Sequence, residues 1–172
     1  MTLVNSIFTW IMKKRMHQIE LFIKYPHDVQ DEWFQNLITT AQHTEWGKIH
    51  GYESIFNQEQ FKERVPIQTY DSLKPYIEKM MSGEQNVLWP SEIKWFAKSS
   101  GTTNARSKFI PISEESLEEC HFKGGKDLLS MYCNNRPDTR IFTGKCLVLG
   151  GSHQINQLNA DSCFGDLSAV LI

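Results

Sequence analysis

Ser99, Ser100, Gly101, Thr102 and Thr103 stand in unbroken order, and Lys108 follows five residues after the last of them. The surrounding stretch, WFAKSSGTTNARSKFIP, opens on an aromatic pair and closes on a β-prone segment, which puts the hydroxyls on a loop between two extended segments. Glycine lets such a backbone turn tightly and approach a ligand closely. Successive main-chain N–H groups in a turn of this kind converge on one concavity and make an anion nest. Hydroxyls add donors for phosphate oxygens without adding negative charge, and Lys108 supplies a compact ammonium. This is the composition of a polyphosphate cradle. It is not a Walker A loop, which needs glycine directly before the lysine and a helix after it. Here Ser107 precedes Lys108, and Phe109-Ile110-Pro111 reads as strand. Composition alone divides evenly between a cradle and a polar surface hairpin, because Ser, Thr, Gly and Asn are ordinary turn residues.

The other reactive residues form weaker patterns. His43 and His50 are seven apart, Trp46 and Gly47 break any shared helical face, and no H-x-x-x-H spacing occurs among the six histidines. A metal site needs clustered ligands, so these read as surface or core histidines and no metal site is expected. His153 directly follows Gly150-Gly151-Ser152 at an expected strand end, a usual place for ligands in α/β folds, and is kept as an acyl-pocket candidate. Cys120, Cys133, Cys146 and Cys163 are spaced 13, 13 and 17 apart with no C-x-x-C pair, which disfavours structural zinc. On an amphipathic helix Cys120 and Cys133 read as buried, inert hydrophobes and not as thioester nucleophiles. Glu118 and Glu119 fit a solvated helix face as well as a second-substrate site.

Several elements must hold the loop. Phe8, Ile11, Met12, Met16, Ile19, Phe22 and Ile23 step by three and four, which predicts a helix that Pro26 ends. Asp28 is the expected N-cap of a second helix, whose apolar face is Val29, Trp33, Phe34, Leu37, Ile38 and Ala41, and the two are expected to pair antiparallel. A looser segment follows around Gly47 and Gly51. Asn57 and Gln60 open a short helix over 58–64 that Pro66 stops. Residues 71–81 form a third amphipathic stretch with Gly83 as its stop. Strands are expected over 93–97, 108–112 and 146–149, and a helix from Ser113 interrupted by Gly124-Gly125. The fold class is thus α/β: a helical N-terminal layer over 1–86, then the start of an α/β core over 87–172. The apolar run at 167–172 has no cap or turn, which predicts that the fold continues beyond it.

The chain carries 18 Lys and Arg against 20 Asp and Glu, a formal charge of −2, without the basic stripe that nucleic-acid binding needs. Lys13-Lys14-Arg15 reads as a solvated helix face. The uncharged N-terminal run ends at Met12, short of the roughly 20 residues a spanning helix needs, and its charges follow the apolar stretch instead of preceding it. A soluble, cytoplasmic protein with reduced thiols is expected.

FAKSSGTTNARSKFIP resembles the phosphate-binding motif of the adenylate-forming superfamily. The closer resemblance is to the GH3 acyl acid–amido synthetase family, particularly its bacterial members. QHTEWGKIHGY, FKERVPIQTYDSLKPYIEKMMSGEQNVLWP and GGSHQINQLNADS resemble further stretches of that family in the same order, so the likeness covers nearly the whole chain. The resemblance implies an adenylate-forming large domain, here incomplete, and assigns Ser99, Ser100, Gly101, Thr102, Thr103 and Lys108 to the ATP-phosphate loop. Asn104 and Ala105 stand where many superfamily loops carry glycine; Asn tolerates a left-handed backbone, so the loop shape survives. The resemblance also implies ATP and Mg²⁺ as cofactors, and a carboxylic acid and an amino acid or amine as substrates. A carboxylate oxygen attacks the α-phosphate to give an acyl-adenylate and pyrophosphate, and the amine then displaces AMP. The 172 residues alone are expected to form no amide. The rival readings are an acyl-CoA or thioester-forming enzyme and a non-catalytic helical interaction module.

Overall fold

The computed structural model describes residues 3–99, 107–145, 147 and 154–166. Along the chain the order is helical up to Met81, with the first strand at Trp95, which is the mixed α/β sequence of elements that the periodicities predict. In space the chain forms two compact units, Met1–Gln30 with Glu115–Leu149, and Asp31–Glu114 with Gly150–Ile172.

In the first unit, α1 (Leu3–Lys24) lies along α7 (Lys123–Asn135). The inward face of α1 is more polar than its periodicity suggests. Asn5, Thr9 and Ile19 are buried, whereas Phe8, Ile11 and Ile23 of the expected apolar face are exposed. Asn5 Nδ2 and Arg15 find partners in their own unit, whereas Asn5 Oδ1 and Thr9 Oγ1 are buried with none among the described residues. Asn5 Nδ2 donates to the Thr139 carbonyl at 3.1 Å, and Arg15 grips Asp127 through Nε at 2.5 Å and Nη2 at 3.0 Å. Arg15 is therefore not part of a solvated face as its neighbours Lys13 and Lys14 are.

The expected α1–α2 hairpin does not form at the junction. α2 (Pro26–Ala41) begins one residue after Tyr25, with proline at its first position, where the missing N–H costs nothing. Tyr25 N donates to the Leu21 carbonyl and Val29 N to the Tyr25 carbonyl, so helical bonding runs through the joint. Reversing the chain between two helices takes a loop of about two to five residues, and one is too few. The stretch after Ile112 also departs from expectation. A short α6 (Glu114–Ser116) runs into a π-helical segment over Leu117–Phe122 and then α7, and the helix passes through Gly124-Gly125 without a break.

The second unit holds two apolar clusters. Ile38 and Ala41 at the end of α2 pack with Tyr52 and Ile55, and Phe34, Trp46 and Phe61 close around them. The segment around Gly47 is not loose: it forms α3 (Glu45–Ile49) and a 3₁₀ turn over Tyr52–Ser54. Thr44 caps α3 by accepting from Gly47 N at 2.9 Å while donating to the Ala41 carbonyl at 2.7 Å. α4 (Gln58–Arg64) starts at Asn57, whose Oδ1 accepts from Gln60 N at 2.9 Å. α5 (Tyr70–Met81) starts at Thr69, which forms a reciprocal capping box with Ser72. It ends before Gly83, at φ 102°, a left-handed position that favours glycine.

The second cluster joins α5 to the sheet: Ile77 and Met80 meet Val87, Ile93 and Phe96. The sheet has the order β2-β1-β4-β3. β1 (Trp95–Lys98) runs antiparallel to β2 (Phe109–Ile112) and parallel to β4 (Cys163–Gly165), which pairs antiparallel with β3 (Ile155–Gln157). Both of the last strands escape the sequence reading, because three residues are too few to show a period of two. Of the strand expected over 146–149 only Leu147 is described, and it is exposed.

Candidate functional site

Two of the predicted loop residues are brought face to face. The β1–β2 register pairs Lys98 with Phe109. One step further out, Ser99 N donates to the Lys108 carbonyl at 2.9 Å, and Lys108 N donates to Ser99 Oγ at 3.3 Å. Ser99 and Lys108 thus form the mouth of the hairpin. Ser100, Gly101, Thr102 and Thr103 of the proposed cradle, and the candidate His153, lie outside the described residues.

The stem is rigid for identifiable reasons. Phe96 is fully buried beneath it, and Phe109 meets Phe164 edge-on with ring centroids 5.3 Å apart. α5 secures the other side: Tyr70 Oη accepts from Phe109 N at 2.8 Å, and the Lys108 ammonium stands 5.3 Å from the centre of the Tyr70 ring. Lys98, on the opposite stem, lies 5.7 Å from the Phe164 ring. Among the described residues neither lysine forms an ion pair with a carboxylate. Both ammonium groups therefore keep their charge available to an anion.

A cleft of about 640 Å³ opens beside this mouth, walled by Tyr70, Asp71, Lys74, Glu78, Ser107 and Lys108. Lys74 and Glu78 are 3.5 Å apart, one helical turn from each other and solvated, a pairing that leaves Lys74 movable. Tyr70, Lys74 and Lys98 were not among the sequence candidates. Nothing local marks them, since Tyr70 reaches Phe109 across 39 positions of sequence.

Other candidates fall elsewhere. Glu118 and Glu119 belong to the first unit and are exposed, with Glu119 paired to Lys123 on the same helix. Cys133 is fully buried, and burial pushes its thiol pKa up against the opposing effect of Lys13. Cys120 departs from the expectation of burial and is exposed, within the π-helical segment. His50 rests on Trp46, centroids 4.2 Å apart, with Nδ1 3.2 Å from the Arg64 carbonyl. Among the described residues no three His, Cys, Asp or Glu side chains are placed to share a metal ion, and no helix is long and apolar enough to cross a membrane.

Helices feeding a small mixed sheet with a serine and a lysine at its hairpin mouth make a fold found in acyl acid amido synthetases. The solved structure of GH3.15 acyl acid amido synthetase superposes with a TM-score of 0.72 at 19% identity, covering 83% of this chain and 25% of that one. That of AtGH3.15 acyl acid amido synthetase in complex with 2,4-DB gives 0.70 at 19%, covering 84% and 25%. The chain belongs to the GH3 family, whose N-terminal domain model matches residues 15–171. Indole-3-acetic acid-amido synthetase GH3.2 of Arabidopsis thaliana is 31% identical over 106 residues, 61% of this chain and 19% of that protein. Jasmonoyl–L-amino acid synthetase JAR6 of Nicotiana attenuata is 29% identical over 107 residues, 62% of this chain and 18% of that protein. These relatives are plant proteins, and the chain spans about a fifth of their length.

Proposed function

We propose that this chain supplies the phosphate-holding part of an ATP-dependent acid–amino acid ligase, which activates a carboxylic acid as an acyl-adenylate and passes it to an amine. The observation that carries the reading is the hairpin mouth: Ser99 and Lys108 joined across from one another, with the Lys108 ammonium in no ion pair among the described residues and at the edge of a roomy cleft. Membership of the GH3 family and the activities for which the relatives are named support it. The likeness to bacterial members rests on the sequence motifs alone.

The residues fit Mg·ATP. A triphosphate requires donors and positive charge at the point of contact, and the mouth offers a serine and a lysine that forms no ion pair among the described residues. Mg²⁺ is held largely by phosphate oxygens and water, so it requires no protein cage here. When bound, the nucleotide supplies the electrophilic α-phosphorus and the AMP leaving group. Ser99, Ser100, Gly101, Thr102 and Thr103 would hold the outer phosphates through backbone N–H and hydroxyl groups, and Lys108 would neutralise their charge. That is positioning and electrostatic stabilisation, without a covalent step by the protein. His153 would line the acyl pocket. The cytoplasm, with its ATP and reduced thiols, is the proposed setting.

The test is titration with Mg·ATP while following the backbone amide signals of residues 99–108. Movement of these signals, and its loss on Ser100→Ala with Thr102→Ala, is the expected result. Unmoved signals, or unchanged affinity in the double variant, would leave the hydroxyls as an ordinary polar turn. With a panel of carboxylic acids the 172-residue chain alone is expected to release no pyrophosphate.

A further inference from the structure

We infer that Tyr70 is the positioning residue for Lys108, its ring seating the ammonium. The inference rests on the phosphate-cradle reading above. Lysine is a point charge on a flexible four-carbon stem, so a lysine at a hairpin mouth is poorly placed unless something holds both its backbone and its head.

The backbone is held from two sides. Ser99 exchanges hydrogen bonds with Lys108, and the next amide, Phe109 N, donates to Tyr70 Oη at 2.8 Å. The head is held by the same tyrosine, whose ring centre is 5.3 Å from Nζ, inside the range of a cation–π contact. Tyr70 can do this because it is the first residue of α5, where the Thr69–Ser72 capping box sets the helix start. A ring face leaves the far side of the ammonium open, as a carboxylate partner would not: the positive charge is restrained without being neutralised. One side chain from a distant helix thereby sets the position of the cation proposed to meet the outer phosphates.

Tyr70 also packs on the apolar cluster of the second unit, so a simple loss of binding on mutation would not separate positioning from scaffolding. A double-mutant cycle does. With Mg·ATP as probe, Tyr70→Leu is expected to weaken binding about threefold, the size of an exposed cation–π contact, and to add nothing in a K108Q background. Tyr70→Phe keeps the ring and is expected to bind within about twofold of the parent. A readout without nucleotide accompanies these: in the unsubstituted chain, ¹³C-dimethylated Lys108 should show an upfield ring-current shift. Tyr70→Leu should abolish it.

Equal losses from Tyr70→Leu with and without Lys108 would make Tyr70 structural only and overturn the inference while leaving the cradle intact. An unchanged affinity in K108Q alone would overturn the cradle reading, and the inference with it. Should Tyr70→Leu fail to fold, the parent shift and the Tyr70→Phe affinity still decide: an unshifted Lys108 methyl signal, or a loss in Tyr70→Phe as deep as in K108Q, defeats the proposal.

Discussion

The backbone of Gly47 passes so close to the Ala41 carbonyl that a Cβ built on Gly47 would stand 2.2 Å from that oxygen. The same carbonyl already accepts from Thr44 Oγ1 and Thr44 N, so the end of α2 and the start of α3 share one knot. Gly47→Ala must push this backbone apart, because no flexible side chain is there to yield. We expect a loss of about 1–3 kcal/mol, the usual cost of overpacking. Urea unfolding monitored by tryptophan fluorescence measures it, and a stability equal to the parent would show that the close approach costs nothing to relieve.

Arg15 and Asp127 tie α1 to α7 by a two-point fork with the guanidinium 11% and the carboxylate 25% exposed. The neighbouring carboxylate raises the Arg15 pKa above its usual value, mainly through this hydrogen bond. Arg15→Lys keeps the charge but not the fork, and should cost about 1.5–3 kcal/mol, as for hydrogen bonds to charged groups. Faster amide exchange confined to α1 and α7 would be the signature. If exchange there is unchanged, the fork contributes nothing to holding the helices.

Asn159 holds the β3–β4 turn and ties it to α5. Its Oδ1 accepts from Asp161 N at 2.9 Å and Ser162 N at 2.8 Å, and its Nδ2 donates to the Met81 carbonyl at 2.8 Å. Asn159→Ala should destabilise by about 1–3 kcal/mol, whereas Asn159→Asp, which keeps the acceptor, should lose less. Equal losses in the two variants would mean that the turn bonds are immaterial.

Thiol labelling should be uneven. Burial raises the Cys133 pKa, which lowers the thiolate fraction at any pH below it, and the side chain is also closed off. Iodoacetamide at mildly alkaline pH should therefore mark exposed Cys120 early and Cys133 last in the folded chain. Peptide mapping by mass spectrometry reads the order, and comparable rates at the two sites would contradict the packing of α7.

Much of this was legible in one dimension, and the reason is locality. Caps and stops are written within four residues: Asn57 with Gln60, and Gly83 after Met81. The mouth of the hydroxyl-bearing hairpin is equally local, since Ser99 and Lys108 are joined across a short antiparallel pair. Tertiary structure decided what lies across long separations. Periodicity could not say that Asn5 and Arg15 would turn inward, because a buried polar group is stable only where a distant partner exists, and Thr139 and Asp127 are such partners. Nor could a period of two emerge from β3 and β4, whose three residues each become strands only through pairing. The sequence by itself determined that a lysine follows a run of small hydroxyls. Only folding decided that Tyr70, arriving from α5, would meet that lysine and the amide after it, since a contact across such a distance has no trace in the neighbours of either residue.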